Sequence, residues 1–129
     1  MPPVHVVSVG LVSDETLGSL DFQIDYSAAA GEFLDPADTV MCETVPGETT
    51  SVYNNIVAKR LLLGRIIAVG GFSGPGEIAR CRFQPAPSTT PESGDFSVAV
   101  TDAADPDLMT IDSPPPDVRV LSVEPEVGP

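Results

Sequence analysis

The chain has 129 residues, the size of one ordinary domain, and 19 acidic residues stand against 6 basic ones for a net charge of −13. Such a surface repels phosphate, which argues against nucleic acid as a partner. Hydrophobic residues make up 42% while aromatics are 5% and Trp is absent, so one core built from Val, Ile, Leu and Ala is expected, which favours sheets.

The opening "MPPVHVVSVG" has no cationic start followed by a long apolar stretch, and no apolar run approaches the roughly 20 residues that cross a bilayer, so no membrane insertion is expected. "VHVVSVGLV" is the first strand. In "LDFQIDY" alternation sends Leu20, Phe22, Ile24 and Tyr26 to a buried side and Asp21, Gln23 and Asp25 to a wet one. "SAAAGEF" suits a helical turn, and "DPAD" a turn ahead of a strand in "TVMCETV". After the turn "PGETT", "SVYNNIVAKRLLLGRIIAVGG" reads as two strands with a bend near Ala58 to Arg60; the leucine run admits a helix, but β-branched residues follow and Gly64 interrupts it, so strand is preferred.

"FSGPG" is a turn, because proline sets one dihedral while glycine absorbs the awkward ones. "EIARCRF" is the next strand, "QPAPSTTPESG" a loop, "DFSVAVTDA" a strand, "ADPD" a turn and "LMTID" a short strand. "SPPPD" is a stiff connector before the last strand "VRVLSV", and "EPEVGP" begins a linker. Eight or nine strands without a crossover helix imply an all-β fold, two antiparallel sheets packed face to face, in one domain over residues 1–123 with linker at 124–129.

Strand parity also sorts the chemistry. In "EIARCRF" Ala79, Cys81 and Phe83 take the core face, and Ile78, Arg80 and Arg82 the outer one; in "TVMCETV" Val40, Cys42 and Thr44 point inward, and Met41, Glu43 and Val45 outward. Cys42 and Cys81 are either bonded or two buried thiols. His5 is the one histidine and sits in a valine-rich strand, so no Ser, His and acid set is assembled and no enzyme is expected. Asp102, Asp105 and Asp107 are calcium candidates, although their turn lacks the glycine and distal glutamate of an EF-hand loop. Apart from calcium, no cofactor is implied. Phe22, Tyr26, Phe83 and Phe96 read as core, which leaves Tyr53, Phe33 and Phe72 to form any sugar-stacking surface.

The order of segments resembles a cohesin domain, the β-sandwich module that receives dockerins in cellulosome-type assemblies. The likeness rests on "LGSLDFQIDYS", on "GRIIAVGGFSGPGEIARCRF", and on "DFSVAVTDAADPDLMTID" followed by "VRVLSV". It covers about Val4 to Val123, and departs from the family where Pro114, Pro115 and Pro116 precede the last strand and in carrying two cysteines. The resemblance implies a jelly-roll-like sandwich of about nine strands and a non-catalytic, monomeric module docking a dockerin-like domain in an extracellular or cell-surface assembly. It also implies that the strands of Cys42 and Cys81 are neighbours, so the sulfurs come within bonding reach, as an oxidising compartment permits. The exposed sheet it nominates makes Met41, Glu43, Ile78, Arg80 and Arg82 partner contacts, with Arg65 extending them. Two other readings remain open: a polysaccharide-binding sandwich module and a passive spacer.

Overall fold

The computed structural model describes residues 4–33, 42–45, 49–111 and 115–125. Nine strands are present among them: β1 (His5–Leu11), β2 (Thr16–Asp25), β3 (Gly31–Glu32), β4 (Cys42–Thr44), β5 (Thr49–Ile56), β6 (Leu61–Ser73), β7 (Gly76–Pro85), β8 (Ser97–Ala104) and β9 (Val118–Pro125). They form two antiparallel sheets. The front sheet runs β5-β6-β2-β8; the back sheet runs β3-β7-β1-β9, with β4 also paired to β7. An all-β sandwich is therefore the architecture.

The apolar residues that alternate along each strand meet between the sheets. Val7, Val9 and Leu11 come from β1, Leu17, Leu20, Phe22 and Ile24 from β2, and Leu62 and Ile66 from β6, all at most 1% exposed. The leucine tract is strand because it alternates against two neighbours at once: β6 pairs with β5 through residues 61–68 and with β2 through residues 61–67, so Leu62 and Ile66 go inward while Leu63, Arg65 and Ile67 go outward. Gly64 shares the inward side for a packing reason. A Cβ there would lie 2.6 Å from the tip of the Phe22 ring, its partner on β2.

One end of the core is aromatic. Tyr26, Phe33, Phe83 and Phe96 stack edge to face with centroids 5.0 to 6.0 Å apart. Arg60, at φ 53 in the bend between β5 and β6, closes this end. Its guanidinium lies 4.8 Å over the Tyr26 ring and donates to the carbonyls of Tyr26, Ala29 and Gly31. The helical turn expected in "SAAAGEF" is instead a β-turn, with Ala29 N–H donating to the Tyr26 carbonyl at 3.0 Å, and Gly31 already enters β3.

Two further expectations shift. Among the described residues of "LMTID" the pairing is an isolated bridge, Thr110 to Ala104, with Ile111 N–H donating to the Ala103 carbonyl at 2.9 Å. The last strand continues to Pro125, opposite His5, two residues past the expected domain edge. "DPAD", Val40 and Pro114 lie outside the described residues.

Cys42 and Cys81 face each other across β4 and β7 and form a disulfide. Among the described residues β4 is held by this bond, by its ladder of three pairs with β7 and by the Val45 N–H donating to the Ile78 carbonyl at 2.9 Å. Replacing both cysteines by Ala is expected to lower unfolding free energy by about 3 to 4 kcal/mol, the chain-entropy value for a loop this long. Urea denaturation of the oxidised protein and of the variant checks this; equal midpoints would refute it. In the same assay Gly64→Ala is expected to cost about 1 to 3 kcal/mol, because its methyl collides with Phe22 in a filled core.

Candidate docking faces

The outer side of the back sheet is organised by a bulge. Pairing of β1 with β7 steps from Val9↔Ala79 to Gly10↔Glu77, so Ile78 has no partner on β1 and the alternation restarts there. Ile78 and Ala79 both turn inward, 2% and 0% exposed. Ile78 is therefore a core residue and not a surface contact, contrary to the simple parity of "EIARCRF". The same slip places Glu77 on the outer side beside Arg80.

Arg80 consequently sits in a charge cluster. Its Nε and NH2 donate to Glu77 Oε1 at 2.8 Å, and its NH1 lies 3.7 Å from Glu43, its cross-strand partner on β4. The other Glu77 carboxylate oxygen accepts the Ser8 hydroxyl from β1. The Arg80 hydrogen bond holds the Glu77 carboxyl below its usual range, against a smaller upward push from burial. Arg82 follows one pleat further on, half-buried opposite Val6. Glu43 and Arg80 thus meet as the sequence suggests. Met41 lies outside the described residues.

Arg65 does not extend this surface. It belongs to β6, on the outer side of the front sheet, so the whole core separates it from Arg80. The ladder places Val52, Arg65, Asp21 and Asp102 in one row across the sheet, with Asn54, Leu63, Gln23 and Ala99 in the next outward row. Arg65 makes a bidentate pair with Asp21, both contacts at 2.9 Å. That hydrogen bond, then the charges of Asp21 and Asp102, raises the guanidinium pKa. Around it three aliphatic side chains reach solvent: Val52 at 54%, Ile67 at 46% and Leu63 at 36%. Val52 and Leu63 line a groove of about 320 Å³ on this sheet together with Asp21, Asn54, Arg65 and Thr101, over Phe22 and Gly64. The pattern "LLLGRII" contains this outward trio of Leu63, Arg65 and Ile67, so part of the surface was readable; that Val52 completes it depends on the β5 register.

The calcium candidates are not brought together. Asp105 Oδ1 accepts the backbone N–H groups of Asp107 and Met109 at 2.9 Å, whereas Asp102 faces the Arg65 row. Among the described residues no group of three His, Cys, Asp or Glu is placed to hold a metal. His5 is buried, opposite Phe83. Phe22, Tyr26, Phe33, Phe72, Phe83 and Phe96 are buried, and Tyr53 is half-buried with its hydroxyl on Thr44 at 2.6 Å. Phe33 and Phe72 are therefore core residues, and the aromatic side chains form no exposed row.

No family model matches the sequence, and neither a curated protein nor a solved structure is significantly similar to it.

The Glu77 cluster has a pH consequence. A carboxyl depressed in the folded state contributes stability that is present above the usual glutamate value of 4.5 and is lost as pH falls through the lower folded-state value. Glu77→Gln is expected to be less stable than the parent near neutrality and to converge with it in acid. Thermal midpoints measured across that range check this, and a pH-independent gap would refute it.

Proposed function

We propose that the chain is a non-catalytic docking module that receives a second protein domain on the outer side of its front sheet. The observation that carries this reading is the set of exposed aliphatics, Val52, Leu63 and Ile67, around the Arg65–Asp21 pair. Protein interfaces combine apolar contacts with Arg anchors, and a rigid sheet presents them at little entropic cost. The back sheet, nominated first by the resemblance to cohesins, is the poorer candidate. Ile78 is withdrawn into the core, and Arg80, like Arg65, is already paired with carboxylates.

The inward placement of the aromatic side chains favours a protein ligand over a polysaccharide, since flat sugar sites stack on exposed rings. A dockerin-type domain is the partner that the resemblance to cohesins suggests. The disulfide suits an oxidising compartment, and no described helix is long and apolar enough to cross a membrane. An extracellular or cell-surface assembly is the setting we assign.

Two paired variants separate the faces. Arg65→Glu with Ile67→Glu is expected to weaken binding of a dockerin-type domain by more than about tenfold, the loss typical of an interface anchor. Arg80→Glu with Arg82→Glu is expected to change it less. Calorimetric titration of both folded variants checks this. Unchanged affinity in the first pair would reject the front sheet, and loss in the second pair alone would restore the back one.

A further inference from the structure

One three-residue strand, β4, touches both sheets. It lies at the edge of the back sheet opposite β9, and among the described residues it pairs with no strand but β7. Its Thr44 hydroxyl meets the Tyr53 hydroxyl of β5 at 2.6 Å, which links the back sheet to the front sheet along this side. Its Glu43 lies 3.7 Å from Arg80. Yet β4 contributes no fully buried side chain. Cys42 and Thr44 are half-buried and Glu43 is exposed, so Cys42 only packs against a core drawn from the rest of the chain.

Without a covalent bond such a strand is poorly held. Fixing the backbone of each residue costs more conformational entropy than a hydrogen bond at a solvent-exposed edge returns. Segments that bury little apolar surface open first. When the Cys42–Cys81 bond is open, three ladder pairs, the Val45 amide and the Thr44 hydroxyl remain to hold β4. The bond is also approachable from one side. Cys81 is 1% exposed on β7, whereas Cys42 is half-buried on the edge strand. An incoming thiolate therefore attacks the Cys42 sulfur, and Cys81 is the leaving group.

We propose that the Cys42–Cys81 disulfide is a thiol-sensitive clasp: a dithiol reductant opens it in the folded protein, β4 leaves β7, and the rest of the sandwich stays assembled. One thiolate of the reductant bonds to Cys42 Sγ as the S–S bond breaks, and Cys81 leaves as a thiolate that takes a proton. The second thiolate of the reductant then displaces Cys42. The reductant closes to a disulfide, and the protein has gained two electrons and two protons. Departure of β4 removes Glu43 from Arg80, separates Thr44 from Tyr53, and leaves the edge of β7 unpaired from Ile78 to Cys81. The oxidising setting assigned above keeps the clasp closed, and a reducing one opens it. This inference stands apart from docking on the front sheet, and its test contains no partner.

The experiment treats the folded, oxidised protein with dithiothreitol in the absence of denaturant. It follows the rate of reduction by mass spectrometry, and amide hydrogen exchange by NMR before and after. In the oxidised protein the Val45 amide is held by the Ile78 carbonyl; on reduction it is expected to lose its protection, while the amides of β1, β2 and β6 keep theirs and a cooperative melting transition remains. Two variants separate local release of β4 from global unfolding. Tyr53→Phe removes the hydroxyl link and is expected to speed reduction by roughly 2- to 10-fold, the equilibrium worth of one hydrogen bond. Val118→Ala, in the core on β9 at the opposite edge, lowers global stability and is expected to leave the rate of reduction at the parent value. Faster reduction in Val118→Ala, an unchanged rate in Tyr53→Phe, a Val45 amide still protected after reduction, or loss of the melting transition on reduction would each overturn the proposal.

Discussion

β7 is the strand on which the back sheet depends. β1 pairs along one side of it, and β3 and β4 share the other. It also carries Cys81, the covalent anchor of β4, and Phe83, a member of the aromatic end of the core. Serving three neighbours and a disulfide over ten residues leaves little tolerance in register. The bulge at Ile78 is where that constraint is relieved: one extra residue lets β7 turn two side chains inward and still present Arg80 outward.

The two outer surfaces differ in kind as a result. On the back sheet Arg80 is hydrogen-bonded to Glu77 on its own strand and lies 3.7 Å from Glu43 on β4, while the Ser8 hydroxyl from β1 donates to Glu77. Such exposed pairs are screened by water and add little stability. On the front sheet one bidentate pair lies among aliphatic side chains that are 36 to 54% exposed. Buried against another protein, those side chains would add apolar area that the isolated domain leaves in water. The acidic excess acts on both surfaces alike and disfavours close approach of any acidic partner.

Much of the layout was legible in the sequence. The alternation in "LDFQIDY" anticipated which side chains of β2 are buried, and turn chemistry placed the β6–β7 connection in "FSGPG", whose Phe72 and Ser73 still belong to β6. Parity in "TVMCETV" and "EIARCRF" oriented Glu43, Arg80 and Cys81 correctly. It failed at Ile78 because parity assumes an unbroken pleat, and the extra residue of a bulge has no signature in composition. The exposure of Leu108 was equally hidden, since an apolar residue in a short run after a turn reads as strand.

What the sequence determined by itself was local: which segments are extended, where they turn, and which side of each unbroken strand is apolar. Those follow from steric preferences and a two-residue repeat that act within one strand. Only the tertiary structure decided which strands became neighbours. Pairing brought Cys42 opposite Cys81 and Val52 opposite Arg65, and it put Arg65 and Arg80 on opposite sides of the core. Register between distant segments is chosen by the joint packing of all the inward side chains, a property of the filled core that no single stretch of the chain contains.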